Sequence, residues 1–187
     1  MIVILGESAS GKTTLLNNFI KNNPKYHKII TYTTRPMRVG EVNGVDYHFI
    51  SQEAFDEFIK RDFFVEHNSY RGWSYGTAKE DCRSKNGIAI LTPAGFRALK
   101  KLGYKTTSIY VSVDRVSRLV SILLRGDDVD EAYRRNLSDL GQFDAIGQEV
   151  DYIIDNNRYH MNEEMTVKCM EAIIEEAQNK AKRNFKK

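Results

Sequence analysis

Cysteine is nearly absent from this chain, with only Cys82 and Cys169 among 187 residues. The two are far apart and in none of the paired spacings of zinc or dithiol motifs, which excludes a disulfide framework, a structural zinc and a redox pair. Both thiols are therefore read as inert. Proline is scarce, at three residues, and no repeat or low-complexity segment occurs, so disordered and collagen-like classes drop out. No apolar run approaches the length of a membrane span. The apolar stretch 1–5 has no basic residue before it and is too short for a secretory leader, so a cytoplasmic protein is expected. An excess of one charge is also lacking, since 28 Lys plus Arg against 25 Asp plus Glu leave +3. That balance calls for neither nucleic acid nor an anionic membrane, but it is compatible with an anionic small molecule. The basic tail 180–187 reads as a solvated helix end. What remains is a globular composition, 41% hydrophobic and 28% charged, in a chain long enough to bury one core.

Residues 1–5 are a β-branched apolar run, the pattern of a strand buried on both faces of a parallel sheet. After a glycine-rich turn, Leu15, Leu16, Phe19 and Ile20 recur at helical spacing up to Pro24. Further strands are predicted over 28–33, 47–50, 88–91, 106–113 and 152–154, with a hairpin of 63–65 and 73–75 about Arg71-Gly72. Helices are predicted after Ser51, from the capping-box pattern Thr77-Ala78-Lys79-Glu80 to Gly87, and from Pro93 to Gly103. Val116, Leu119, Val120, Leu123 and Leu124 form the apolar stripe of another helix, and 132–143 a polar one. A long helix over 161–182 carries Met165, Cys169, Ala172 and Ile173 in register. The alternation predicts an α/β fold, a doubly wound parallel sheet with helices on both faces, into which a small mixed α/β lobe is inserted.

Gly6, Glu7, Ser8, Ala9, Ser10, Gly11, Lys12 and Thr13 match G-x-x-x-x-G-K-[ST], with a strand expected before and a helix after. Gly6 and Gly11 let the chain wrap so that successive backbone N–H groups face phosphate oxygens, backed by the positive end of the helix. Lys12 supplies a cation for the β- and γ-phosphates, and the Thr13 hydroxyl is placed to hold Mg²⁺. With Thr14, residues 6–14 are taken as the ATP-binding segment. Such loops occur in GTPases, motors and small-molecule kinases, so the loop alone names no activity.

Residues 33–49 narrow the choice. Arg35 and Arg38 stand three apart in a polar loop with Gly40-Glu41 and Asn43-Gly44 turn signals, and Tyr47 follows on a strand. Two guanidinium groups and a phenol converging on one point suit a phosphate monoester. The run from Thr33 to Phe49 resembles the guanylate kinase signature T-[ST]-R-x-x-[KR]-x-x-[DE]-x-x-G-x-x-Y-x-[FY], filled at every position. The resemblance continues in order through Val65-Glu66, Tyr75-Gly76-Thr77 and Asp151-Tyr152-Ile153-Ile154-Asp155-Asn156.

That resemblance implies a P-loop nucleoside monophosphate kinase, with a core of 1–33 and 78–187, a monophosphate-binding lobe of about 34–77 and a short lid of about 125–135. It implies that Arg35, Arg38, Tyr47 and Tyr75 hold the GMP phosphate, while Thr31, Glu66 and Thr77 contact guanine. A carboxylate can accept both N1–H and the 2-amine of guanine, a donor pair that adenine lacks. By the same resemblance Asn156 lies beside the adenine of ATP. Lid arginines close on the triphosphate: Arg125 matches best, and Arg134 or Arg135 follows. With Lys12 and Arg35, Arg125 and Arg135 are the expected catalytic cations. Two departures stand out. Thr92 replaces a usual aspartate in Ile90-Leu91-Thr92-Pro93-Ala94-Gly95, from which a weaker metal site is expected, and the lid is shorter than the family norm. The expectation is transfer of the ATP γ-phosphate to GMP or dGMP with Mg²⁺ by a monomer or homodimer. A kinase for another monophosphate, or a non-catalytic guanylate-kinase-like binding module, stays open.

Overall fold

The computed structural model describes residues 1–38, 40–70, 72–124, 129–157 and 162–184. In chain order its elements are β1 (Ile2–Leu5), α1 (Lys12–Asn22), β2 (His27–Lys28), β3 (Tyr32–Thr33), β4 (His48–Phe49), α2 (Gln52–Lys60), β5 (Phe64–Tyr70) and β6 (Trp73–Ala78). A 3₁₀ turn at Asp81–Arg83 precedes β7 (Gly87–Ile90), α3 (Pro93–Lys101), β8 (Thr107–Ser112), α4 (Arg115–Leu124), α5 (Val129–Asp139), α6 (Ile146–Glu149), β9 (Tyr152–Asp155) and α7 (Glu163–Asn184). Five strands form a parallel sheet in the order β2-β7-β1-β8-β9, and four form a mixed sheet in the order β4-β3-β6-β5. This is the α/β architecture expected from the alternating pattern. By contacts the chain divides into two compact units, one of residues 1–2 and 26–106, the other of 3–25 and 107–187.

In the second unit Val3, Ile4 and Leu5 are fully buried, as a two-sided strand requires. Helix α1 buries Leu15, Leu16 and Phe19 and packs on α7. In the first unit the core of the small lobe is aromatic. Phe55 stacks on Phe64 at 4.6 Å, and Tyr32 meets Phe58, Phe63 and Phe64 edge-on. Ser51 caps α2 through a bond from the Ala54 N–H, and antiparallel β5 and β6 complete the predicted hairpin with longer strands than expected.

Four local readings are corrected. The single strand over 28–33 is two, β2 in the parallel sheet and β3 in the mixed one. An extended run suits either sheet, and the change of partner has no local signal. The capping box at 77–80 opens no α-helix. Thr77 instead lies on β6, fully buried, with its hydroxyl bonded to Glu66 rather than to a helix end, and only the 3₁₀ turn follows. The stripe on α4 faces outward: Val116 is 70% and Leu124 71% exposed, while Ser117, Arg118 and Ile122 are buried. The inward turn is set by Arg118, drawn to Glu7, Asp139 and the carbonyl of Val113. On α7 the inner face is Thr166, Val167, Met170 and Ile174, so Met165 and Cys169 are exposed. The Thr166 hydroxyl, which donates to both Asn156 Oδ1 and the Asn162 carbonyl, fixes that rotation.

Candidate active site

The loop between β1 and α1 has a geometry that only two glycines permit at its ends. Gly6 has φ 153°, and a Cβ there would lie 2.6 Å from the Val111 carbonyl oxygen. Gly11 has φ 86° at the N-cap of α1, and its Cβ would lie 2.7 Å from Asn156 Nδ2. Just after Gly11, Lys12 folds back, its ammonium donating to the Glu7 carbonyl at 2.5 Å and to Ser10 Oγ at 3.1 Å. Burial pushes this ammonium down from its ordinary 10.5 to about 8, against the pull of Asp139 and Glu7 toward the charged form.

Acidic and basic groups brace the loop from one side. The Ser8 N–H donates to Asp139 Oδ2 at 2.7 Å. Arg118, nine-tenths buried, lies 3.8 Å from Glu7 and 4.0 Å from Asp139, and its Nη1 has no hydrogen-bond partner among the described residues. Tyr110 donates to Glu7 Oε2 at 2.9 Å, and burial together with that carboxylate pushes the phenol up to about 12.

On the helix side, Ser10, Gly11, Thr14, Asn18, Asn156 and Thr166 are among the walls of a cavity of about 510 Å³. Asn156 spends both ends of its amide within the protein, Nδ2 on the Ser10 carbonyl at 3.0 Å and Oδ1 on the Thr166 hydroxyl at 2.8 Å. It thus braces the loop between β1 and α1. Thr13 stands exposed on the first turn of α1. A neutral hydroxyl at that turn fits a hard cation that brings phosphate and water oxygens with it. Among the described residues, no group of three or more His, Cys, Asp or Glu side chains could hold a metal alone.

The first unit holds the residues predicted for the monophosphate. Arg35 is buried, its Nη2 2.6 Å from Glu41 Oε1 and its Nη1 bonded to the Pro36 carbonyl at 2.8 Å. Its guanidinium carbon lies 5.5 Å from the Tyr47 ring centroid and 5.6 Å from that of Phe49. Tyr47 in turn meets Tyr75 edge-on at 6.2 Å. The hydrogen bond with Glu41 holds Arg35 charged and keeps the Glu41 carboxyl low. Glu41 Oε2 also accepts the Arg38 N–H at 2.7 Å, while the Arg38 side chain is exposed. One carboxylate therefore organises both arginine positions.

Glu66 and Thr77 face each other across β5 and β6, and the Thr77 hydroxyl donates to Glu66 Oε1 at 2.7 Å. Burial raises the Glu66 carboxyl, and the bond from Thr77 opposes the rise. Thr31 contributes its carbonyl to the His48 N–H at 2.9 Å, next to β3. Thr92 caps α3, accepting from the Gly95 N–H at 3.1 Å. Arg125 and the side chain of Arg135 lie outside the described residues. Arg134 is exposed, with its Nε donating to the Asp130 carbonyl at 3.2 Å.

Several participants had no sequence reading of their own. Glu41 could have been found, since it sits in the same short loop as the arginines it holds. Asp139 and Arg118 carry no local signal, because the loop residues they meet, Ser8 and Glu7, are more than a hundred residues away.

Comparison with known proteins places the chain among relatives of one family. A family model described as Guanylate kinase matches residues 1–177. The chain is 32% identical over 163 residues to a guanylate kinase of Symbiobacterium thermophilum, covering 84% of this chain and 77% of that one. It is 30% identical over 165 residues to a guanylate kinase of Nostoc sp., covering 85% and 83%. A crystal structure of guanylate kinase from Anaplasma phagocytophilum superimposes with a TM-score of 0.65 at 18% identity, covering 95% of this chain and 86% of that one.

Proposed function

The chain belongs to the guanylate kinase family, and on that premise we propose that it is a nucleoside monophosphate kinase transferring the γ-phosphate of ATP to GMP or dGMP. The observation that carries the acceptor is the Glu66–Thr77 pair, a buried carboxylate held at 2.7 Å by a hydroxyl. An ionised carboxylate in that place accepts N1–H and the 2-amine of guanine, a donor pair that adenine lacks because its N1 is itself an acceptor. Thr77 donates its proton to Glu66, so it acts first as the group that orients the acid.

The reaction asks for positioning and charge neutralisation, not for a nucleophile on the protein. Arg35, held by Glu41 against Tyr47, is positioned for a monoester before one arrives, and Arg38 extends the same loop. Lys12 and the backbone N–H groups at the start of α1 would neutralise the triphosphate. Thr13 would hold Mg²⁺ together with the phosphates, and the ion would supply further charge neutralisation at the transferring group. Arg125 and Arg135 are proposed as the lid cations on the resemblance alone.

The test is ADP production from ATP with GMP, dGMP, AMP, CMP, UMP and dTMP in turn. GMP and dGMP are expected to support turnover well above the others. A preference for AMP or a pyrimidine nucleotide, or no turnover with any, overturns the reading. Arg38→Ala is expected to raise KM for GMP by roughly 10-fold or more with little change in KM for ATP, as loss of a charge-assisted phosphate contact predicts. Equal effects on both substrates would mean that the loop does not serve the acceptor.

A further inference from the structure

Gly95 is a glycine that its own backbone does not require. It sits in the first turn of α3 and is absent from the positions with left-handed φ. Glycine in a helix costs about 1 kcal/mol relative to alanine, so a reason for it must come from the surroundings. Those surroundings are Glu66. A Cβ built on Gly95 would lie 2.9 Å from Glu66 Cγ, 3.0 Å from Cδ and 3.2 Å from Oε2. The first distance is shorter than carbon atoms tolerate, the second is tighter than an ordinary contact, and the third crowds the carboxylate oxygen that Thr77 does not hold.

Neither side can retreat cheaply. The first turn of α3 is fixed by Pro93 at its start and by the Thr92 hydroxyl, which accepts the N–H of Gly95 itself. On the other side Glu66 is tied by Thr77 and stands where the pairing of β5 with β6 shifts register, between Phe64 and Glu66. Its neighbours in a cavity of about 390 Å³ include His67, Ala94, Gly95 and Ala98, so the α3 wall of that cavity carries no side chain larger than a methyl group. A substituent at position 95 would therefore act on the carboxylate more than on the helix.

We propose that Gly95 is a specificity-determining positioning residue: the space left by its missing side chain sets the Glu66 carboxylate in the orientation that reads the N1–H and 2-amine edge of guanine. The proposal rests on the GMP reading above. It extends that reading to a residue with no polar side chain of its own, which acts only through Glu66.

Gly95→Ala tests it with GMP and IMP as acceptors, since IMP presents N1–H but lacks the 2-amine. The expected result is a fall of roughly 10-fold or more in kcat/KM for GMP, the scale on which sites built around a donor–acceptor pair discriminate. KM for ATP stays within about two-fold, and the GMP to IMP preference collapses toward unity. The second arm is Glu66→Asp/Gly95→Ala, because a side chain one methylene shorter vacates the contested volume. The double variant is expected to lose less than the sum of the single losses, a coupling that a general loss of helix stability would not produce. An unchanged GMP to IMP preference in Gly95→Ala overturns the proposal, as do additive losses in the double variant. Should Gly95→Ala alone fail to fold, recovery of folded protein in the double variant supports the proposal and no recovery overturns it. A wild-type chain that ignores GMP overturns the parent reading and this one with it. A wild type that uses GMP beside an unchanged preference in Gly95→Ala overturns this one alone.

Discussion

Lys12 carries a charge that its surroundings penalise. Burial lowers its ammonium from 10.5 to about 8, with Asp139 and Glu7 opposing and Arg118 assisting. At about 1.4 kcal/mol per unit, the depressed group costs about 3 kcal/mol of stability at pH values where it is charged in both states. Between pH 8 and 10.5 the unfolded chain binds a proton that the folded chain has released, so stability should rise with pH through that window. Function should move the other way, since a neutral amine neutralises no phosphate. ATP affinity of the nucleotide-free protein is expected to fall as pH passes about 8, whereas Lys12→Met should bind weakly with no inflection there. Calorimetric titration with ATP from pH 7 to 10 measures both proteins. A flat wild-type profile would mean that Lys12 stays charged throughout.

At the scale of elements, helix α3 joins a cap to a site. Thr92 occupies the position where the family pattern carries an aspartate, and its hydroxyl closes the first turn on the Gly95 N–H. Thr92→Ala should cost about 1 kcal/mol, the usual loss for an N-cap, with a lower urea midpoint and an unchanged slope. Aspartate is as good a cap as threonine, so Thr92→Asp should unfold at the wild-type midpoint. A marked loss of stability in Thr92→Asp would show that the new charge is poorly accommodated at that helix end. The exposed stripe of α4 has a related lesson. A buried ion network at Arg118 outweighs four apolar contacts in setting the helix rotation, because leaving a guanidinium buried without its carboxylates would cost several kcal/mol.

At the scale of the molecule, the predicted ATP segment and the predicted GMP residues fall in different compact units. Residues 6–14 belong to one, and Thr31, Arg35, Arg38, Tyr47, Glu66, Tyr75 and Thr77 to the other. Each nucleotide alone should therefore slow amide exchange in its own segment. GMP is expected to protect 31–49 and 64–78, and an ATP analogue 6–15, by the linkage of ligand binding to local opening. Protection of 6–15 by GMP alone, with 31–49 unaffected, would reverse the assignment.

Much of this was legible in the residues themselves. A glycine turn between strand and helix is contiguous and set by local backbone, so the strand–turn–helix geometry over Gly6 to Thr13 was readable without a fold. The arginine loop is nearly as local, with Arg35, Glu41 and Tyr47 within thirteen positions of one another. Secondary structure was legible in β1, where burial is two-sided, and in α2 and α3, where Ser51 and Thr92 cap the first turn. It failed where a distant partner overruled a local pattern: Thr77 taken by Glu66, and the α4 and α7 faces turned by Arg118 and Thr166. Only the tertiary structure decided that Asp139 holds the Ser8 amide across 131 residues, that Asn156 braces the loop rather than standing free, and that Gly95 leaves room for Glu66. Those facts depend on which surfaces meet, and the free energy of a meeting belongs to pairs of residues that no local window contains.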